Sequence, residues 1–393
     1  MNGSQIQRLL KAPAHSFFLF GARGTGKSTW LRRALPGAVY LDLLDTRLQL
    51  ELMTKPHHLE ALVGKAGESG WIVLDEVQKN PALLSEVHRL IEDRRWRFAL
   101  CGSSARKLKR GGADLLAGRA LTLSMEPFCS KELGANFDLE AALDWGTLPV
   151  VHQKAGLEPE ILSAYVDTYL REEIKEEGAV RKFAPFVRFL SVAGLLNGQA
   201  LNTENVAREA QVPRATVDGY FELLADTLLG FSLPAYRPGL KVREAARSKF
   251  YWLDPGVARA CAGLLRDPLS LDWRGVALET LLFHELRVWN AVAQRHRPIA
   301  YYRTAAGAEI DFVIETRKRQ ASQRPHLVCI EVKHAERWDR KWERAMRDMA
   351  DEGSVKVDRM IGVYRGDRRY RFGELDVLPV NEFLHDLYEG LVF

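Results

Sequence analysis

Residues Gly21 to Ser28 read Gly-Ala-Arg-Gly-Thr-Gly-Lys-Ser, a spacing suited to holding phosphate. Gly21, Gly24 and Gly26 lack Cβ atoms, so a loop running through Ala22, Arg23 and Thr25 can turn its N–H groups inward onto phosphate oxygens. Lys27 is placed to bridge β- and γ-phosphates, and Ser28, next to Thr29 at the positive end of a helix, to offer its hydroxyl to Mg2+. The implied ligand is ATP. Strand and helix must flank such a loop, and they do: the apolar run Ser16 to Phe20 precedes it and the helical stretch Thr29 to Leu35 follows.

A second apolar strand, Trp71 to Leu74, runs directly into Asp75-Glu76. In a P-loop ATPase an acidic pair at that edge supplies the second magnesium ligand, here Asp75, and the base that polarises water, here Glu76. The strand Ala38 to Leu43 ends beside Asp42 and Asp45, and Arg97 to Cys101 ends in Gly102-Ser103-Ser104. Ser103 or Ser104 is a candidate sensor of the γ-phosphate; a helix N-cap is the alternative role. Gly118-Arg119 precedes the strand Ala120 to Met125. Arg119 is either an arginine finger acting in trans within a homo-oligomer or a surface arginine, with Arg106 as the other candidate finger.

A third group of chemical residues lies near the far end. The amphipathic helix from Trp273 to Trp289 carries Glu279 and Glu285; the strands Ile299 to Thr304, Glu309 to Glu315 and Leu327 to Lys333 follow. Asp311 and Glu331 on adjacent strands, with Glu279 as an outer ligand, offer hard oxygens suited to Mg2+ or Mn2+. Lys333, two residues from Glu331 and so on the same face, would position or activate water. Metal-bound water attacking a phosphodiester is the chemistry such a set favours.

Between these groups the β-rich pattern stops after Pro127, and Glu158 to Leu196 has helical periodicity with heavy charge, including Arg171 to Glu177. Thr203 to Ala210, the turn Gln211-Val212-Pro213 and a helix carrying Val217, Phe221 and Leu224 have helix-turn-helix spacing, with Phe231 to Tyr236 as a wing. Arg214, Thr216 and Asp218 would begin a recognition helix. One cation there is too little for several phosphates, which leaves DNA contact and a scaffolding role both open.

At 393 residues and 44.5 kDa the chain exceeds one core, and 47% hydrophobic with 27% charged residues is an ordinary globular composition. The net charge of +5 comes from 56 Lys+Arg and 51 Asp+Glu; 27 of the former and 23 of the latter lie between Lys241 and the end, so four of the five surplus charges belong to that stretch. Arg317, Lys318, Arg319 and Arg324 form one basic cluster, and Arg365, Arg368, Arg369 and Arg371 another, with Tyr364 and Tyr370 available for stacking on nucleic acid. The four cysteines stand at 101, 129, 261 and 329, too far apart for a metal or redox motif, and read as buried thiols in a reducing, cytoplasmic setting. No apolar run is long enough to span a membrane.

The P-loop, Asp75-Glu76, Ser103-Ser104, Gly118-Arg119, the winged-helix-like middle, and Gly307-x-Glu309-Ile-Asp311 followed by Glu331-Val-Lys333 together resemble the prokaryotic AAA-type ATPases with a C-terminal domain on the PD-(D/E)XK nuclease core. The resemblance implies an α/β fold in three parts: a P-loop AAA-type core with a parallel sheet (1–135), a helical and winged-helix-like unit (136–245) and a nuclease-like α/β unit (246–393). It implies ATP hydrolysis by Lys27, Ser28, Asp75 and Glu76, and a nuclease-type triad of Asp311, Glu331 and Lys333. Two functions follow: an ATPase coupled to a domain that binds or cleaves nucleic acid, DNA first, or a switch ATPase whose inactive C-terminal domain docks a partner protein.

Overall fold

The computed structural model describes residues 6–103, 106, 108, 116, 118–154, 156–170, 174, 180, 183–237, 247–304, 307–320 and 323–393. Ser104 and, apart from Ile174, the charged run 171–177 lie outside them.

The amino-terminal sheet is built from short apolar runs that are covered on both faces, as parallel strands require. It contains β1 (Phe17–Phe20), β2 (Val39–Asp42), β3 (Trp71–Asp75), β4 (Arg97–Gly102) and β5 (Leu121–Ser124), in the order β2-β3-β4-β1-β5 and all parallel. Strand β4 is thus inserted between the P-loop strand and the acidic strand, which carries Ser103 into the gap between the two motifs. Helix α1 (Lys27–Ala34) leaves the P-loop, and Phe17, Leu19, Trp30 and Leu31 bury one face of the sheet against it. On the other face, Phe18, Phe20, Ile72 and Leu74 pack with Leu84 and Val87 of α2 (Leu83–Arg94).

The middle segment is helical: α3 (Leu139–Trp145), α4 (Pro149–His152), α5 (Glu158–Ala164), a π-helical turn over Tyr165–Leu170, and α6 (Phe183–Leu195). Next come β6 (Gln199–Ala200), α7 (Thr203–Ala210) and α8 (Arg214–Asp226), then β7 (Gly230–Leu233), β8 (Lys249–Trp252) and α9 (Pro255–Cys261). The three strands form an antiparallel sheet in the order β6-β8-β7. Gln211 ends α7 with φ 55, the left-handed turn for which glycine is more usual. Strand β8 begins beyond the expected division at 245/246, yet it pairs with both strands of the middle sheet.

The last segment runs α10 (Leu271–Val292), β9 (Ile299–Arg303), β10 (Glu309–Arg317), β11 (His326–Lys333), α11 (Arg344–Asp351), β12 (Lys356–Tyr364), β13 (Tyr370–Phe372), β14 (Leu375–Pro379) and α12 (Val380–Tyr388). Its six strands form a mixed sheet in the order β13-β14-β12-β11-β10-β9. Helices α10 and α12 cover one face, where Leu278, Leu282, Phe312, Ile330 and Phe383 share a core. The chain just after β7 adds to the outer side of β9: Tyr301 N–H donates to Pro234 O at 2.9 Å, and Tyr236 N–H donates to Tyr301 O at 2.6 Å. The middle and last units are therefore joined through backbone as well as side chains. No helix among the described residues is long and apolar enough to cross a membrane.

Candidate functional site

The P-loop turns through left-handed conformations at Gly24 (φ 82) and Gly26 (φ 88), which only glycine adopts without strain. Gly21 has a second reason to be glycine, because a Cβ there would stand 2.4 Å from the carbonyl oxygen of Met125. Lys27 donates to the carbonyls of Gly21 at 2.7 Å and Ala22 at 3.2 Å, and Thr25 Oγ1 donates to Ala22 O at 2.8 Å. The lysine is held over its own loop, with Gly26 as N-cap of α1 and Ser28 in the first turn.

Asp75 ends β3 opposite Asp42 of β2 and is buried. The hydroxyl of Tyr40 donates to Asp75 Oδ2, and Ser28 stands near enough to act on the Tyr40 phenol in the opposite sense. Burial first, and then Asp75, push the Tyr40 phenol well above its ordinary value, so it stays protonated as a donor. Tyr40 gathers the two candidate magnesium ligands at one point, and sequence spacing gave no sign of it. Glu76 has φ 57, a left-handed backbone that is strained for a non-glycine residue. Gln78 Nε2 reaches both the Glu76 carboxylate and, at 3.1 Å, Ser103 Oγ. This glutamine links the candidate base to the candidate sensor.

The middle segment grips the loop from outside. Tyr165 donates its hydroxyl to Arg23 O at 3.0 Å, and a Cβ on Gly24 would stand 3.2 Å from Val150 Cγ1 of α4. Buried Asp254 fixes the approach to that helix, accepting from Thr147 N–H at 2.6 Å while capping α9 through Val257 N–H at 3.1 Å. Burial raises the Asp254 carboxyl to about 6. A cavity of about 520 Å3 opens beside the loop, lined by Leu10, Thr29, Trp30, Arg33, Pro149 and Gln153 among others. Its size is within the range of small-molecule sites.

The two finger candidates diverge. Arg119 precedes β5, whose Leu121 N–H donates to Ser16 O at the start of β1. Parallel strands put that end of the sheet opposite the P-loop, and Arg119 pairs there with Glu92. It does not reach the loop of its own chain. Arg106 lies 3.4 Å from Asp226 of α8 and so bridges the amino-terminal and middle units.

In the last segment, the register Phe312↔Ile330 sets Asp311 across from Glu331. Lys333 Nζ lies 2.5 Å from Glu331 Oε1 and 3.7 Å from Asp311 Oδ2, which also accepts from Val332 N–H at 2.8 Å. The expected triad therefore converges. The expected ligand trio does not close on one point: among the described residues no three acidic, His or Cys side chains are gathered to hold a metal ion. Lys249 of β8, absent from the sequence expectation, stands in that space, 3.8 Å from Glu279 Oε2, 3.9 Å from Asp311 Oδ1 and in contact with Glu309 Oε1. Tyr251 donates to Glu279 Oε2 at 2.9 Å. Burial, then Asp311, raises Glu279 to about 7; burial and Asp311 likewise raise Glu331, whose Oε2 is buried without a hydrogen-bond partner.

Glu285, on the same helix as Glu279, serves elsewhere. It accepts from Ser130 N–H at 2.7 Å, Ser130 Oγ at 3.1 Å and the Tyr388 hydroxyl at 2.5 Å. Together with the Arg287–Glu126 pair at 2.7 Å, it ties α10 to the end of the amino-terminal unit.

One surface expectation needs correction. Tyr364 is buried in the sheet, its hydroxyl donating to Arg368 O at 2.6 Å, so it offers no stacking face; Tyr370 is exposed. Within the Arg365 to Arg371 group, Arg365 pairs with Glu140 and Arg369 with Glu382 and Asp386, while Arg368 and Arg371, the latter 3.9 Å from Asp376, are exposed. Arg214 of the expected recognition helix pairs with Glu204 at 3.0 Å.

With this geometry in view, three family models match successive parts of the chain. Residues 14–134 match an AAA domain. The amino-terminal unit is of the AAA ATPase type. Residues 136–267 and 274–383 match two domains of unknown function, DUF8612 and DUF4143. No curated protein matches the chain. Among solved structures, it is similar to the Aeropyrum pernix ORC1 protein in complex with DNA, at 16% identity over 64% of this chain and 87% of that one, with a TM-score of 0.29. It is also similar to a signal transduction ATPase with numerous domains and a tetratricopeptide repeat sensor from Pyrococcus horikoshii, at 11% identity and a TM-score of 0.20. That match covers 71% of this chain and 45% of the other. At such scores neither likeness carries an argument about ligand or role.

Proposed function

We propose that this protein binds and hydrolyses ATP with Mg2+ at the loop Gly21 to Ser28, and that the middle unit reads the nucleotide state. The observation that carries the reading is the convergence of the loop, Asp75, Glu76 and Ser103 at one edge of a five-stranded parallel sheet. Backbone N–H groups of residues 22–28 and the Lys27 ammonium bind the phosphates, and the 520 Å3 cavity beside them takes the rest of the nucleotide. Ser28 and Asp75 would hold Mg2+, which when bound neutralises charge developing on the phosphates. Glu76 orients the attacking water and accepts its proton; Ser103, joined to it through Gln78, reports the γ-phosphate. Arg119, being remote from its own loop, serves as finger only to a neighbouring copy. ATP turnover by wild type and Lys27→Ala tests the core of this reading: an inactive wild type, or an active variant, overturns it.

For the rest of the chain, the element order from α6 to β8 supports a winged-helix-like unit, and the Asp311, Glu331 and Lys333 triad supports a nuclease-like unit of PD-(D/E)XK type that acts on nucleic acid. Mn2+-dependent cleavage of single- and double-stranded DNA, lost in Asp311→Ala while ATP turnover persists, is the expected result. A wild type that never cleaves but copurifies with a stoichiometric partner supports the switch alternative instead.

A further inference from the structure

The acidic cluster of the last segment contains four carboxyl groups, Glu279, Glu309, Asp311 and Glu331, and two ammonium groups, Lys249 and Lys333. The lysines divide the work. Lys333 sits on Glu331 and the Oδ2 side of Asp311, whereas Lys249 faces Asp311 Oδ1, Glu279 Oε2 and Glu309 Oε1. Three carboxylate oxygens from α10 and β10 thus surround one ammonium. Hard divalent cations are held by oxygens of this kind, but with the ammonium in place these carboxylates are not gathered closely enough to hold one. The Lys249 side chain is only 6% exposed, and its Nζ lies 5.4 Å from the centre of the Tyr301 ring. These acids compensate the burial of the ammonium, which without them would be costly. The lysine does not belong to the segment that supplies the acids. It arrives on β8, paired to β6 at Ala200 and to β7 at Leu233.

We propose that Lys249 fills the cation position of the acidic cluster, so that divalent metal enters only when this ammonium is withdrawn or removed. This inference rests on the reading of the cluster as a metal-type site, and adds its regulation. One ammonium and one divalent cation compete for the same three oxygens, because two cations that close would repel each other across a buried space. The unpartnered Glu331 Oε2 marks where the cluster has coordinating capacity that the lysines leave unused. Metal occupancy of the last unit then depends on the position of a strand in the middle unit.

The test counts Mn2+ bound to the full chain, stripped of metal and without nucleotide, by electron paramagnetic resonance. Lys249→Met is expected to bind one Mn2+ at least about tenfold more tightly than wild type, with the gain lost on adding Asp311→Asn, and Mn2+ is expected to raise its melting temperature but not that of wild type. Wild type binding Mn2+ as tightly as the variant overturns the inference while leaving the metal-type reading intact. A folded variant that binds no Mn2+ overturns both. Should Lys249→Met be unfolded without metal, Mn2+ is expected to refold it and Lys249→Gln; failure of both variants to fold at any Mn2+ concentration also overturns the inference, since the cation would not replace the ammonium.

Discussion

Tyr165 donates its hydroxyl to the carbonyl oxygen of Arg23 across 142 positions of sequence, at 3.0 Å, so a side chain of the middle unit holds the phosphate loop by its backbone. Tyr165→Phe removes that bond and little volume. A bond of this kind is worth about 1 kcal/mol, so ATP is expected to bind about fivefold more weakly, with the melting temperature nearly unchanged. Calorimetric titration with a non-hydrolysable ATP analogue measures it, and unaltered affinity would show that the grip is not felt at the site.

Tyr40 gives a prediction of a different kind, because it donates to Asp75 and stands near Ser28. Groups that orient metal ligands typically contribute about tenfold or more to metal affinity. Tyr40→Phe should therefore raise the Mg2+ concentration for half-maximal ATP turnover about tenfold, with the maximal rate nearly kept. An unchanged Mg2+ requirement would remove Tyr40 from the metal-positioning role.

Glu76→Gln separates binding from chemistry. A positioned general base contributes about 10²–10⁴ in rate; the variant is expected to lose turnover on that scale while keeping ATP affinity. Loss of affinity equal to the loss of turnover would argue that Glu76 shapes the loop and does not act on water.

Glu285 makes stability depend on pH. Burial raises its carboxyl from the ordinary 4.5 to about 7, outweighing its three donors. Between those values the folded chain keeps the proton that the unfolded chain has lost, so stability is greatest at the acid end and falls as pH rises, then stays level above about 7. For this buried group the contribution is about 3 kcal/mol. His284, held near 4 by burial, works in the opposite sense, and Asp254 in the same sense as Glu285. Comparing wild type with Glu285→Gln isolates one group: the variant should lose less melting temperature between about pH 5 and about pH 8. An equal loss in both proteins would refute the assignment.

The phosphate loop and the acidic pair were legible because their chemistry depends on contiguous residues, and a glycine forced into positive φ leaves a mark in sequence. That Glu331 and Lys333 share a face was legible from strand alternation, while Asp311 was set beside them by the order of the two strands and the family resemblance. Tyr40, Gln78, Glu309 and Lys249 were not: each acquires its role by standing across from another strand or unit, and register between distant segments has no local signature. Tyr364 misled for a related reason. Strand β12 is flanked on both sides, by β11 and β14, and capped by helices, so an aromatic that looks free in an alternating pattern is enclosed. A strand within Phe231 to Tyr236 was foreseen, but the attachment of the residues that follow it to β9 was not.

That attachment, Pro234 and Tyr236 bonded to Tyr301, makes a lever of two units. A rotation of the middle sheet would pull β9 with it, and through β9 the neighbouring strand that bears Asp311. The side-chain links near the P-loop, Tyr165 to Arg23 and Arg106 to Asp226, are softer than a backbone splice. Displacement of the middle sheet would thus reach β9 through backbone bonds, whereas the tie between the middle sheet's unit and the P-loop rests on side chains alone.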